Sequence, residues 1–184
     1  MRKLYMFNMV SLDGYFEGIN HDLSWHHVDH DFDEFSIQQL YTTDTLFFGR
    51  TTYEMMATYW PTEAALNDDP IVSKLMTTTK KYVFSKTLPQ ANWENTTVIR
   101  DDIAAQVQAM KQQEGKEIAI FGSNILGVSL IQAGLIDEFR IMVNPVILGS
   151  GTPLFKGLDK RINLKLLQSI TFDNGNVLHY YKPE

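Results

Sequence analysis

The strongest constraint on this chain's fold is a change of rhythm about two thirds of the way along it. Up to residue 133, short apolar runs alternate with segments of helical spacing; beyond it, strand-like runs follow one another with no helix between them. Alternation of this kind implies parallel strands, because a parallel crossover needs a long connection, usually a helix. The closing runs can instead pair antiparallel through tight turns. The expected architecture is therefore α/β: three layers, with a mixed, mostly parallel central sheet, helices on both faces and an antiparallel C-terminal hairpin.

The individual runs fit this frame. Residues 3–10 suit a buried strand, and Ser11-Leu12-Asp13-Gly14 turns at once after it. Residues 11–30 read as an irregular loop holding Gly14, Gly18, four histidines and Trp25, a composition more often functional than idle. Residues 31–42 have helical spacing with acids in the first turn, where the helix dipole favours them. Strands are expected at 45–48, 81–85, 96–100 and 117–121, with Asp101 or Asp102 capping the helix that follows the third. A helix from Ile125 to Ala133 ends at Gly134, a natural C-terminal cap. Strands then cover 138–143, 164–172 and 177–181, and Asp173-Asn174-Gly175-Asn176 predicts a hairpin turn with positive φ angles at Asn-Gly. No repeat, low-complexity tract or linker interrupts the chain, so residues 1–184 read as a single domain.

Composition narrows the function. The chain has no cysteine, which removes disulfides, thiolate metal sites and thiol nucleophiles together and suits a reducing cytoplasm. No apolar run is long enough to span a bilayer, and the N-terminus lacks a signal-peptide pattern, so no membrane partner is expected. A net charge of −6 argues against nucleic acid. Between Lys3 and Arg50 there is no Lys or Arg, while Asp13, Glu17, Asp22, Asp29, Asp31, Asp33, Glu34 and Asp44 all fall there. This acidic first quarter repels polyanions.

Ligands of such sheets bind outside the carboxyl ends of the parallel strands. Three of those ends carry suitable chemistry. Gly49-Arg50-Thr51-Thr52 offers a glycine, a cation, two hydroxyls and a helix start; Ser85-Lys86-Thr87 offers hydroxyls and a cation; Gly122-Ser123-Asn124 offers a second glycine turn into a helix. Each alone is most often structural. Three together fit a dinucleotide, which needs separate sites for its pyrophosphate and its adenosine end. Neither a Rossmann glycine fingerprint nor a Walker lysine loop is present.

Taken in order, these segments resemble the dihydrofolate reductase superfamily, and most nearly its branch containing the reductase domain of riboflavin biosynthesis. The matching stretches are Val10 to Tyr15, Phe48 to Glu54, Lys81 to Leu88, Ile120 to Asn124, and Gly134 to Phe139 running on to Phe155. The resemblance implies a dihydrofolate-reductase-like fold with about eight strands, NADPH across the strand ends, reduction of a small-molecule substrate, and a homodimer. By position, Gly49, Arg50, Thr51 and Thr52 are to hold phosphates. Ser85 and Lys86, with Arg100, are to meet the adenosine 2′-phosphate. Gly122, Ser123 and Asn124 are to approach the pyrophosphate and nicotinamide, and Asp13 and Gly14 to lie on the loop closing over the nicotinamide.

Reducing a C=N or C=O bond also needs a proton. Dihydrofolate reductases carry a carboxylate on the first helix, sixteen residues before the glycine of the Gly-Arg turn, which here is Asp33. Asp31 and Glu34 lie close enough to be alternatives. Burial among Phe32, Phe35 and Trp25 would raise its pKa. His21, His26, His27 and His30 match no zinc-binding spacing, so no metal is expected, although a histidine is also a possible proton donor. From Thr51 to Ser73 there is no Lys or Arg, so the glutamate tail of folate and the ribose phosphate of riboflavin precursors both lack a cationic partner. A neutral or cationic heterocyclic, carbonyl or imine substrate fits the charge pattern. The alternative is a non-catalytic nucleotide- or flavin-binding homodimer that keeps the cradle.

Overall fold

A computed structural model of the chain describes residues 1–184. The strands are β1 (Leu4–Ser11), β2 (Tyr15–Glu17), β3 (Thr43–Gly49), β4 (Lys80–Phe84), β5 (Thr96–Ile99), β6 (Glu117–Phe121), β7 (Glu138–Asn144), β8 (Thr152–Pro153), β9 (Leu164–Thr171) and β10 (Val177–Pro183). The helices are α1 (His30–Tyr41), α2 (Arg50–Tyr59), α3 (Glu63–Asp68), α4 (Pro70–Thr78), α5 (Ile103–Gln112) and α6 (Asn124–Gln132). No helix is long and apolar enough to cross a membrane.

Eight strands form one sheet in the order β5-β4-β3-β6-β1-β7-β10-β9. The first six are parallel, while β10 runs antiparallel to both β7 and β9. The central strands are apolar almost throughout because both of their faces are covered. Along β1, Leu4, Met6 and Val10 pack with Val107 and Met110 of α5 and Leu126, Leu130 and Ile131 of α6. The alternate residue Tyr5 packs on the other face with Leu40 of α1, Tyr53 of α2 and Val72 and Met76 of α4. Each such side chain contributes about 1.5–3 kcal/mol on burial, so the α/β/α sandwich is held from both sides of the sheet.

Three details differ from the sequence expectation. Residues 11–30 are not wholly irregular: β2 pairs with β8 in a second, two-stranded sheet. Gly151, beside β8, packs so close that a Cβ there would lie 2.2 Å from the Glu17 carbonyl oxygen. At the hairpin, only Gly175 has positive φ (88°), and Gly175 N–H donates to Phe172 O at 3.0 Å. Asp173 and Asn174 therefore form an ordinary turn closed by a left-handed glycine, not a two-residue Asn-Gly turn. Asp102 precedes α5 in a left-handed conformation and makes no side-chain cap bond.

A group of cations is engaged at the amino end of the sheet. Lys81 is fully buried, and its ammonium donates to the carbonyls of Met76, Thr77 and Thr79, 2.8 Å each, closing the C-terminus of α4. Arg140 lies over the Tyr5 ring at 3.5 Å and donates to Glu138 and Glu117, 2.7 Å each, with Lys3 bridging the same two carboxylates. Burial alone would raise the Glu117 pKa; hydrogen bonds and charge from Arg140 and Lys3 outweigh it and hold this carboxyl below its ordinary range.

Candidate active site

The opposite, carboxyl end of the sheet carries the site. β1 and β6 pair from Leu4↔Ile118 to Phe7↔Phe121. There β6 stops, while β1 runs on beside β7 to Ser11, so the two strands part and open a crevice.

Helix starts around this crevice differ from those elsewhere. α1, α3 and α4 each have a side-chain cap, from Asp29, Thr62 and Asp69. α2, α5 and α6, which open at the carboxyl ends of β3, β5 and β6, have none. Their first N–H groups are left for water or an anion, and the helix dipoles favour the anion. Two of these starts are clipped together. Ser123 Oγ accepts from Gly49 N–H at 2.7 Å and donates to Thr52 Oγ1 at 3.0 Å. Gly122 and Ser123 both adopt left-handed backbone, with φ of 64° and 63°. A Cβ on Gly122 would lie 3.1 Å from Thr52 Cγ2, so the turn is built to pass close to α2.

Cations flank the same edge. Arg50 is exposed, pairs with Glu54 at 2.8 Å and donates to Thr87 Oγ1 at 2.9 Å. Ser85 Oγ accepts from the N–H groups of Thr87 and Leu88, at 3.2 and 3.0 Å, shaping the turn after β4. Arg100 grips that turn through the carbonyls of Lys86 and Pro89, leaving the Lys86 side chain exposed at its tip.

Beside the crevice lies a cleft of about 710 Å³, whose 26 lining residues include Thr51, Thr52, Gly122 and Asp33. Asp33 therefore faces the cleft, and its pKa is raised, first by burial and then by the nearby Asp69 carboxylate. Asp31 and Glu34 line a separate groove of about 530 Å³ between α1 and the end of β9, beside Ile170 and Phe172. The loop residues are partly committed elsewhere. Asp13 accepts from the N–H groups of Leu148 and Gly149, at 3.1 and 2.8 Å, and Gly14 O accepts from Leu154 N–H. Asn124 is equally occupied: its amide donates to the carbonyls of Pro153 and Leu154. Its side-chain nitrogen is therefore committed to the chain itself, while its backbone lies at the first turn of α6.

The histidines disperse. His21 pairs with Glu17 at 2.7 Å, His30 with Glu34 at 3.4 Å, and no group of three or more His, Asp or Glu converges to hold a metal. His26 lines the cleft instead, with its Nε2 buried and unpartnered. Burial pushes its pKa down to about 4, against a weaker opposing pull from Asp22. Sequence reasoning missed Asn8, Asp68 and Asp69, which also line the cleft. Asn8 carried a signal, being the one strongly polar residue in the apolar run of residues 4–10. Asp68 and Asp69 carried none, since only the folding of α3 and α4 over α1 brings them to the cleft.

The sheet order, the parted strands and the glycine turns at their ends define a dihydrofolate-reductase-like α/β protein. Residues 2–178 match the RibD C-terminal domain family, and the chain belongs to it. It is 36% identical over 183 residues to YyaP, an uncharacterized protein of Bacillus subtilis (strain 168), covering 98% of this chain and 94% of that one. Its fold is similar to that of a pyrimidine reductase-like protein from Corynebacterium diphtheriae, with a TM-score of 0.70, 17% identity, and 100% and 92% of the two chains covered. Dihydrofolate reductase from Enterococcus faecalis, complexed with NADP(H), superposes with a TM-score of 0.67 at 15% identity, covering 99% of this chain and 96% of that one.

Proposed function

We propose that this protein is an NADPH-dependent reductase of a small heterocyclic, carbonyl or imine substrate, acting in the cytoplasm as a homodimer. The observation that carries this reading is the pair of uncapped helix starts, clipped together by Ser123 at the mouth of a cleft that holds Asp33. The residues present fit a dinucleotide. The N–H groups opening α2 and α6 take the pyrophosphate, and Gly122 lets it approach the backbone. Lys86, with Arg50 and Arg100 beside it, takes the 2′-phosphate that distinguishes NADPH from NADH. Bound there, the nicotinamide supplies the hydride.

The chain's own part is to orient the substrate, exclude water and deliver a proton. Phe7, Phe32 and Phe121 give the cleft apolar walls, which keep bulk water from the reacting bond. The raised pKa of Asp33 keeps its proton available further up the pH scale than an ordinary carboxyl would, as a general acid requires.

Calorimetric titration with NADPH and NADH tests this reading. NADPH is expected to bind in preference, and Lys86→Ala to weaken it about tenfold or more by removing a charge-assisted contact. Asp33→Asn is expected to bind NADPH unchanged while kcat falls by about 10²–10⁴. Binding of neither dinucleotide would overturn the proposal. NADPH binding without consumption across a panel of imines, carbonyls and quinones would make the protein a non-catalytic binder.

A further inference from the structure

The cleft that holds Asp33 has walls of one electrical character. Four carboxylates line it (Glu17, Asp33, Asp68 and Asp69), and none of its 26 lining residues is Lys or Arg. Two of the four are neighbours at the junction of α3 and α4, where Tyr59 and Trp60 also line the cleft, their rings 5.1 Å apart. Both carboxylates are already oriented by bonds on one oxygen. Asp68 Oδ2 accepts from the Tyr59 hydroxyl at 3.0 Å, and Asp69 Oδ1 accepts from Val72 N–H at 2.9 Å. Each keeps a second oxygen free of protein partners.

An independent observation points the same way. Asn8 lines the cleft, is 4% exposed, and its Oδ1 has no hydrogen-bond partner. A buried acceptor left unmade costs about 1–3 kcal/mol, so this atom calls for a donor, from a ligand or from water, that the protein itself does not provide. His26 Nε2, on the same wall, is likewise unpartnered. Depressed basicity keeps that ring neutral near pH 7, so it adds no positive charge to the wall. Away from the helix starts at Thr51 and Gly122, and with His21 already paired to Glu17, the cleft thus presents free acceptors, aromatic faces and negative charge, and no lysine or arginine to pair with an anion.

We infer that the compound this cleft takes is an aromatic organic cation, whose ammonium or amidinium group sits against Asp68 and Asp69 beside the Tyr59 and Trp60 rings, while its N–H donors reach Asn8. Aromatic faces beside carboxylates are the pairing that desolvated organic cations favour. The cationic group lies at the α3–α4 end, on the Asp69 side of Asp33, and leaves the Asp33 carboxyl to serve the reacting bond. A carboxylate or phosphate at the α3–α4 end would meet like charge from the same residues. This inference rests on the reductase reading only for the statement that the bound compound is then reduced; the binding itself needs no dinucleotide.

Three probes of one shape and different charge test it: benzamidinium, benzamide and benzoate, titrated calorimetrically into the full-length protein without NADPH. Benzamidinium is expected to bind about ten- to a hundredfold more tightly than benzamide, the range of a charge-assisted contact, and benzoate not to bind. Asp68→Asn combined with Asp69→Asn keeps an oxygen for the Tyr59 hydroxyl and for Val72 N–H while removing both charges. In this variant the preference for benzamidinium is expected to vanish, with benzamide affinity and thermal stability unchanged. Benzoate binding as well as benzamidinium, or a preference that survives the double substitution, would overturn the inference. Should the double variant unfold, the single Asp68→Asn variant, at an exposed position, carries the test and is expected to lose part of the preference. The two readings fail separately. Benzamidinium selectivity without NADPH binding sinks only the reductase, and NADPH binding without charge selectivity sinks only the cation site.

Discussion

His26 shows how one side chain ties the stability of the fold to its site. Its ring packs edge-on against Trp25, 4.4 Å between centroids, and burial lowers its pKa from 6.5 to about 4. The sign follows from proton counting. Between pH 6.5 and about 4 the unfolded chain protonates this histidine and the folded chain does not. Stability is therefore full above the unfolded pKa and is lost as pH falls through that window, by up to about 3 kcal/mol in all. Glu117, whose pKa is lowered, adds its own loss only further down, below the ordinary Glu value of 4.5. Replacing His26 with Gln removes the first component and leaves the second. Urea unfolding of the two proteins at pH about 7 and about 5 is expected to show a marked loss for the native sequence and a much smaller one for His26→Gln. Parallel losses would mean that the ring titrates freely, as an exposed histidine does.

At the scale of elements, the site depends on two strand–turn–helix units, β3–α2 and β6–α6, held in register by one hydroxyl. Ser123→Ala strands Gly49 N–H and removes the donor to Thr52 Oγ1, at a cost of about 1–3 kcal/mol. Because Ala suffers the same left-handed φ as Ser, the loss reports the clip and not the backbone. Thermal unfolding is expected to show that destabilisation, and NADPH titration a weakened affinity, since the two sets of N–H groups no longer converge. A stable variant with unaltered affinity would remove the clip from the account. These units were legible in the sequence because their determinants are local: an apolar run, a glycine, then helical spacing. The β2–β8 pairing was not, because strands of three and two residues meet across more than 130 positions and neither has a periodic pattern of its own. Asp33 could be placed on the first helix from sequence, but its neighbour Asp69 could not. The effect of Asp69 on Asp33 depends on how α4 packs against α1, which no local pattern encodes. Gly122 and Ser123 were readable as a turn, whereas two successive left-handed residues ending in a serine were not; Ser pays a penalty there that only the clip's bonds to Gly49 and Thr52 explain.

Across the whole molecule, charge and apolar surface are sorted by position. Lys3, Lys81, Lys111 and Arg140 are held at the amino end of the sheet, while Arg50, Lys86 and Arg100 flank the crevice at the other end and leave the cleft acidic. The sheet's two edges are also unequal. β5 is a four-residue edge, but β9 is eight residues long and exposed along nearly all of its length, with Leu164, Leu166 and Leu167 between 38% and 51% exposed and Lys165 its only charge. Long apolar edges invite another strand, and monomers usually blunt them with charges, bulges or brevity; β9 has one charge and one irregularity, where the pairing with β10 skips Leu167, and is otherwise open. The homodimer proposed above is expected to form along β9, which would bury those leucines and place both clefts on one particle. Leu166→Glu puts a charge at that edge. Exposed in the single chain, the position should change the monomer's own stability by no more than about 0.5 kcal/mol. Sedimentation is therefore expected to give a dimer for the native sequence and a folded monomer for the variant, with an unchanged circular dichroism spectrum. A native chain that sediments as a monomer at every concentration would leave β9 as a bare edge, and a variant that stays dimeric would move the interface elsewhere.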